Sequence, residues 1–377
     1  MIAHVMTSVS RGGLELYVRE LILKLASAGV EQVVVCDENS FMVEDLRAKN
    51  IPVEFIRQGS RYSMARMRVL RRIHRRYAVN IWHSHWRDDM ILVALAFFFK
   101  KIRHIFSQYM GFGNKKDLFH RLVYSRLEKL VTTSEIMNAL ALERLPVTEQ
   151  QIACIRYGRE TEAFKVPPAK IKNAKKTIGL KAGQKIVISL CRLDPMKGVR
   201  EFADAAKFIG ENWRKKMVFV QIGEPTILGF DAGKKPFYRP EATQAFEYLK
   251  TAAQNTGDGC RFVLLPFQKD FIPFLKAADY FVLGSYDEMY SLSLIDAMMA
   301  GCFVVGTDNG GTPEQIGQHR GLLIPEKNAA AIADAIGRAE GNPTLRKKMQ
   351  KAANTWAMRE HNWKFVLPQW LTLYNLR

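Results

Sequence analysis

The chain has 377 residues, more than one hydrophobic core usually organises, and is 48% hydrophobic and 25% charged, which excludes a disordered or fibrous chain and favours two folded domains. Its 56 lysines and arginines against 37 aspartates and glutamates leave +19, so the expected partner is anionic: nucleic acid, acidic membrane or a phosphorylated small molecule. Cys36, Cys154, Cys191, Cys260 and Cys302 lie too far apart for a zinc or redox motif, there is no basic leader, and the longest apolar run, MILVALAFFF at 90–99, is about half the roughly 20 residues of a bilayer span; a cytoplasmic protein is expected.

The first strand, IAHVM, leads into TSVSRGGLELYVREL, where Gly12 and Gly13 precede a helix over 14–28 with Val18, Leu21, Ile22 and Leu25 on one face. Paired glycines either bring backbone N–H donors close to a ligand or simply turn the chain. Strands QVVVC and VEFI follow. Residues 57–78, RQGSRYSMARMRVLRRIHRRYA, then combine eight arginines with Met64, Met67, Val69, Leu70 and Ile73. Such a basic amphipathic helix suits an anionic membrane surface or phosphorylated glycolipid, or is a solvated face. IWHSHW, at the end of strand VNIWH, carries His83 and His85, which are expected to point to opposite faces, and no third ligand at metal spacing accompanies them. RHIFS, KLVTT and QIACI complete the strands of the first half, with the loop GFGNKKD at 111–117 between the first two of these.

FKVPPAKIKNAKKTIGLKAGQ, rich in Pro and Lys, reads as linker or exposed surface and sets a domain boundary near residue 165. The pattern then restarts with KIVISL, MVFVQIG, RFVLLP, DYFVLG, CFVVG and GLLIP. Strands alternating with helices imply two parallel sheets wound with helices, and ligands sit beyond the carboxyl ends of such strands.

Three loops at those ends carry candidate chemistry. In SLCRLDPMKGVREF, Arg192 and Lys197 bracket a loop where two cations would neutralise a diphosphate, or they are ordinary surface charges. In DYFVLGSYDEMYSLSLIDAMMAG a helix opens near Ser291, offering free amides and a positive dipole end to a phosphate, or merely a capped start. Glu288 stands in the loop, where it can accept from hydroxyls. Asp296 lies among Leu294, Ile295, Ala297 and Met298, where a carboxylate needs a partner such as a vicinal diol. In TDNGGTPEQI, Gly310 and Gly311 face the cleft that such loops line or only turn the chain.

In this order the segments resemble the family 4 (group 1) glycosyltransferases of GT-B fold, which carry a glycine pair after the first strand, an Arg to Lys-Gly loop early in the second domain, and two glutamates at the spacing of Glu288 and Asp296. GGTPE at 310–314 and the tryptophan-containing segment around Trp363 also match, so the likeness runs over nearly the whole chain. The resemblance implies two Rossmann-like domains facing across a cleft: 1–165 binding acceptor, 166–355 binding a nucleotide-diphosphate-sugar, and a terminal helix within 356–377 packing on the first domain. It implies that Glu288 holds hydroxyls of the transferred sugar, that Asp296 holds the ribose diol, and that Arg192 and Lys197 hold the diphosphate, these last two with Glu288 forming the catalytic set. Amides near Tyr290, Ser291 and Leu292, with Gly12 and Gly13, would add donors.

Two departures stand out. Asp296 is one methylene shorter than the family's glutamate. Gln108 lies near the position of a frequent family histidine, and a glutamine cannot act as base, so the leaving diphosphate oxygen would accept the proton. The acceptor side would include Gln108, Gly111, Lys115 and Lys116, suited to a phosphorylated or carboxylated sugar. Retention of anomeric configuration, no metal and no cofactor are implied, with work on lipopolysaccharide or other cell-envelope glycan at the inner face of the cytoplasmic membrane. The alternatives are a sugar-nucleotide epimerase, a soluble disaccharide synthase, a silent glycan-binding relative, or a nucleic-acid-binding protein. No helix-turn-helix, zinc knuckle or RNP-like pattern supports the last.

Overall fold

The computed structural model describes residues 1–10, 12–56, 62–231, 233, 235–254 and 259–376. The chain divides into two compact units, Met1–Gly158 with Lys364–Arg377, and Arg159–Trp363. The division follows Gly158, a few residues before the boundary expected near 165.

The first unit is built on seven parallel strands: β1 (Ile2–Met6), β2 (Gln32–Cys36), β3 (Val53–Phe55), β4 (Ile81–Ser84), β5 (Arg103–Ser107), β6 (Lys129–Thr132) and β7 (Ile152–Cys154), in the order β3-β2-β1-β4-β5-β6-β7. These are the seven strands read from the sequence. β1 and β2 are buried along their whole length, as near-continuous apolar runs must be when helices cover both faces of a sheet. The helix expected over 14–28 spans Gly13–Ser27, and Val18, Leu21, Ile22 and Leu25 are all fully buried.

The second unit repeats the plan with β8 (Lys185–Leu190), β9 (Met217–Ile222), β10 (Ile227–Phe230), β11 (Pro236–Tyr238), β12 (Arg261–Leu265), β13 (Tyr280–Leu283), β14 (Phe303–Thr307) and β15 (Leu322–Ile324). Six of these form a parallel sheet in the order β12-β9-β8-β13-β14-β15, while β10 and β11 pair as a separate antiparallel hairpin. The hairpin was not foreseen, because GFDAGKKPF lacks the two-residue Asn-Gly type of turn that announces one. In both large sheets the order reverses beside the first strand, between β1 and β4 and between β8 and β13. Such reversals open the crevice where ligands of doubly wound sheets settle.

Of the two readings of the Pro- and Lys-rich stretch, linker is corrected and exposed surface describes most of it. Pro168–Ile178 is a helix that buries Ala174 and Ile178, with Pro at its first position and Gly179 in the left-handed conformation as its stop. Those are the Pro-in, Gly-out signals of a helix, masked by lysines that are themselves good helix formers.

The basic segment forms a helix over Met64–Arg76, but its apolar residues Met67, Leu70 and Ile73 are buried in the unit's own core, leaving cations outside. The residues at 57–61, with two of its arginines, lie outside the described residues. Of the segment expected as one terminal element, residues to Glu360 complete the helix Pro343–Glu360 of the second unit. The following helix, Trp363–Leu373, seats Trp370 and Tyr374 in the first. There the Trp370 indole donates to the Tyr17 hydroxyl at 3.3 Å, and Arg103 donates to the Leu373 and Tyr374 carbonyls. Among the described residues no helix is long and apolar enough to cross a membrane.

Candidate active site

The reversal point of the second sheet gathers three loops. The loop after β8 carries Arg192 to Gly198, the loop after β13 carries Gly284 to Ser291, and the loop after β14 carries Gly310 and Gly311. The Tyr286 amide donates to the Met196 carbonyl at 2.9 Å, tying the first two together. Gly198 has φ +65°, and a Cβ there would stand 2.0 Å from the Gly284 carbonyl oxygen, so no side chain fits. The glycine pair serves the third contact: a Cβ at Gly310 would meet the Glu288 carbonyl at 2.1 Å, and the Gly311 amide donates to that same oxygen at 2.7 Å. The backbone that approaches Gly310 and Gly311 this closely is the chain that carries Glu288.

Within this frame Lys197 Nζ donates to Glu288 Oε2 at 2.7 Å, with side chains 23% and 16% exposed. Burial alone would lower the lysine's pKa, but the Glu288 charge and hydrogen bond outweigh it, so the net shift is upward and the ammonium stays protonated. Arg192 is near enough to act on Lys197 electrostatically and lies 3.8 Å from Asp194. Two cations, Arg192 and Lys197, and two carboxylates, Asp194 and Glu288, therefore meet at the sheet's reversal point.

The helix behind Glu288 spans Leu292–Ala300. Ser291 caps its first turn, one of the two sequence readings: its hydroxyl accepts from the Leu294 amide, and its own amide donates to Gln315 Oε1 at 2.8 Å. Gln315 returns the bond to the Ser291 carbonyl at 2.9 Å. The Ser291 amide is thus satisfied within the protein, and the Tyr290 ring is buried beside His361. At Leu292 and the residue after it the helix start still leaves amides with no intrahelical acceptor.

Asp296 differs more. It is buried, and both carboxylate oxygens are held by Arg159, at 2.7 Å from Nε and 2.8 Å from the second guanidinium nitrogen. The need for a partner read from the sequence is met by this fork, with the arginine backbone fixed in turn by its amide donating to the His361 carbonyl.

In the first unit Gly12 precedes the helix at Gly13, but its amide donates to Glu15 Oε2 at 2.9 Å, and the Ser8 hydroxyl donates to the other oxygen of that carboxylate. Gln108 follows β5; its Nε2 donates to the Met110 carbonyl while its buried Oε1 has no hydrogen-bond partner among the described residues. Gly111 and Lys116 are exposed and Lys115 half-buried.

His83 and His85 share a side of the sheet, with ring centroids 3.9 Å apart, which corrects the expected opposite orientation: residues two apart in a strand point the same way. His4 of β1 joins them, the ligand atoms of all three lying within 4.8 Å of one another, a third imidazole that spacing along the chain does not reveal. Five of their six nitrogens are engaged by each other and by hydroxyls: His4 Nδ1 with His85 Nε2 at 3.0 Å, His83 with Tyr374 and Ser107 at 2.7 and 2.8 Å, and His85 with Tyr109 at 3.0 Å. Burial pushes the His4 imidazole down to about 3, and His83 and His85 well below their ordinary range. Asp89, accepting from the amide and hydroxyl of Thr7, is raised by burial to about 6.

Residues 170–356 match the family model of glycosyl transferases group 1, and residues 11–163 match that of glycosyltransferase family 4. The chain belongs to this glycosyltransferase family. It is 25% identical over 229 residues to the D-inositol 3-phosphate glycosyltransferase of Corynebacterium urealyticum, covering 59% of this chain and 51% of that protein, so it spans about half the length of that relative. It is 22% identical over 373 residues, 96% of this chain and 86% of the other, to the N,N'-diacetylbacillosaminyl-diphospho-undecaprenol alpha-1,3-N-acetylgalactosaminyltransferase of Campylobacter jejuni. The Anabaena protein Alr3699/HepE, solved in complex with UDP, superposes with a TM-score of 0.82 at 16% identity over the full length of both chains, and its neighbours confirm GT-B as the fold.

Arg159, Gln315, His4 and Glu15 escaped the sequence reading. Only Glu15 left a signal, three residues after a helix-preceding glycine in the position of a capping acid. The others act across long chain separations, which spacing does not encode.

Proposed function

We propose that the protein transfers a sugar from a nucleoside diphosphate donor, with uridine as the favoured base, to a lipid-linked glycan acceptor during cell-envelope glycan synthesis. The observation that carries this reading is the Lys197–Glu288 pair beside Arg192 at the reversal point of the second sheet. Lys197 and Arg192 suit the diphosphate, and Glu288 suits hydroxyls of the transferred sugar. The UDP in the Anabaena structure supports the choice of base, and the diphospho-undecaprenol substrate named for the Campylobacter relative supports the acceptor class.

In this reading transfer retains the anomeric configuration, needs no metal, and passes the acceptor proton to the leaving diphosphate, because Gln108 cannot take it. The enzyme works at the inner face of the cytoplasmic membrane, drawn there by its positive charge, and lipopolysaccharide is one such product class. Gly111, Lys115 and Lys116 belong to the acceptor side.

The test is a thermal-shift screen of UDP-, GDP-, ADP- and CMP-sugars, because a ligand that binds the folded state raises its melting point. UDP-sugars are expected to shift it, and transfer to a diphospho-polyprenyl glycan follows by product analysis with the anomeric coupling read by NMR. A screen in which no nucleotide sugar stabilises the chain overturns the reading.

A further inference from the structure

The loops after β8 and β9 leave the second sheet side by side and stay joined beyond it. The Cys191 amide donates to the Ile222 carbonyl at 3.2 Å and the Leu193 amide to the Glu224 carbonyl at 2.9 Å, which continues the ladder of the two strands. Gly223 permits this approach: it has φ +154°, and a Cβ there would stand 1.9 Å from the Cys191 carbonyl oxygen. The chain then reaches Thr226, at the foot of the β10–β11 hairpin. Thr226 is buried, and its carbonyl accepts from the Arg239 amide just past β11, so the hairpin holds it from both ends.

The Thr226 hydroxyl donates to Asp194 Oδ2 at 2.5 Å. That same oxygen faces Arg192 Nε at 3.8 Å, an ion pair too long for a hydrogen bond. The contact is made at the inner nitrogen of the guanidinium. Among the described residues no hydrogen bond engages its two terminal nitrogens, and the Arg192 side chain is 43% exposed. A guanidinium approached at Nε by a fixed carboxylate keeps its outer fork open to a bidentate anion. Asp194 is fixed a second time through its carbonyl, which accepts from the Lys197 amide at 3.0 Å.

We propose that Asp194 is a positioning residue for donor binding: anchored by Thr226, it holds the Arg192 guanidinium at Nε and so presents the terminal nitrogens to the diphosphate. It touches no substrate and acts through Arg192. A long exposed arginine loses rotamer freedom when it grips a ligand, and a restraint already present in the free protein removes part of that cost. The hairpin thereby becomes part of the donor site, because the residue at its foot fixes Asp194. This inference rests on the donor reading above, in which Arg192 serves the diphosphate.

The experiment is titration calorimetry of the full chain with UDP and with uridine, melting points being measured in parallel. Asp194→Asn keeps an oxygen for the Thr226 hydroxyl and removes the charge. Its UDP affinity is expected to fall about fivefold, the cost of ordering one long side chain, with uridine affinity and melting point unchanged. Thr226→Val is expected to lose a similar factor, and Thr226→Ser to keep wild-type affinity. In an Arg192→Ala background, Asp194→Asn is expected to change UDP affinity less than about twofold, because the group it positions is gone. Should Asp194→Asn fail to fold, Thr226→Val against Thr226→Ser carries the same comparison in both backgrounds. Wild-type UDP affinity in Asp194→Asn, tighter binding from relieved repulsion, an equal loss for uridine, or an equal loss with and without Arg192 would each overturn the proposal. Wild type that binds no UDP would overturn the donor reading and this inference with it, whereas UDP binding indifferent to Asp194 would overturn the inference alone.

Discussion

The pairing of Asp296 with Arg159 sets two accounts of one carboxylate against each other. Family resemblance gives it to the ribose of the donor, whereas the structure gives both its oxygens to a guanidinium, with side chains 13% and 4% exposed. Breaking so buried a pair from one side leaves a desolvated charge and costs about 3–5 kcal/mol, while removing both partners costs less. Asp296→Asn should therefore destabilise the second unit by about 3 kcal/mol or more. With urea slopes of about 1–3 kcal/mol per molar, the unfolding midpoint falls by roughly 1 M or more. Arg159→Met/Asp296→Leu should recover part of that loss, and the coupling follows from the double-mutant cycle. Tryptophan fluorescence in urea reads the stability, and competition between UDP and 2'-deoxy-UDP reads the ribose. If Asp296→Asn keeps the wild-type midpoint but no longer distinguishes the two nucleotides, the carboxylate serves ribose and the structural account fails.

Other expectations concern the loops and the first unit. Glu288→Gln should abolish transfer with little change in melting point, and wild-type turnover would remove its assignment to donor sugar. Lys197→Ala should weaken UDP by about 2 kcal/mol, roughly thirtyfold, while hardly affecting uridine; equal losses in calorimetry would refute the diphosphate role. Gly310→Ala must place a Cβ at φ +52° within 2.1 Å of the Glu288 carbonyl, so activity should fall more than tenfold, and an unchanged rate would show that the loop contact is dispensable. His4 and His104 are pushed by burial to about 3, and His83 and His85 well below 6.5, so all four fold as neutral groups. A depressed histidine contributes stability that is present above its unfolded value and lost as pH falls, about 1.4 kcal/mol per pH unit each. Asp89, raised to about 6, acts in the opposite sense between 6 and 3.8 and offsets about one of them. Urea midpoints should therefore drop steeply from pH 6.5 to pH 5, and a flat profile would contradict the neutral cluster.

Strands and their order of appearance were legible because buried parallel strands are short apolar runs punctuated by polar loops, and all thirteen strands of the two large sheets coincide with runs such as QVVVC and CFVVG. The placement of Arg192, Lys197 and Glu288 on loops that follow strands was legible too. What was not legible is how competing partners divide those groups. Nothing in the sequence says that Gln315 takes the Ser291 amide or that Glu15 takes the amide of Gly12. Both are local choices between a ligand and a protein acceptor, and periodicity carries no information about them. The basic helix shows the same limit. Its moment was read as an invitation to membrane, but an amphipathic helix buries its apolar side wherever a core is offered, and here the core of its own unit takes Met67, Leu70 and Ile73.

The Lys197–Glu288 pair also explains how such a site can wait for its substrate. Without ligand the ammonium and the carboxylate neutralise each other at 2.7 Å, which spares either from a half-buried, uncompensated charge. In the proposed reaction a diphosphate offers Lys197 a stronger anion than a single carboxylate, and Arg192 adds its fork to the same group. The carboxylate that Lys197 releases is then free to accept from sugar hydroxyls, so one exchange of partners prepares both ends of the donor. Replacing Lys197 by alanine removes the neutralising partner as well as the phosphate contact, whereas Lys197→Arg keeps the charge. If exchange is the operating step, the arginine variant keeps most of the UDP affinity that the alanine variant loses, and identical binding by the two would refute it.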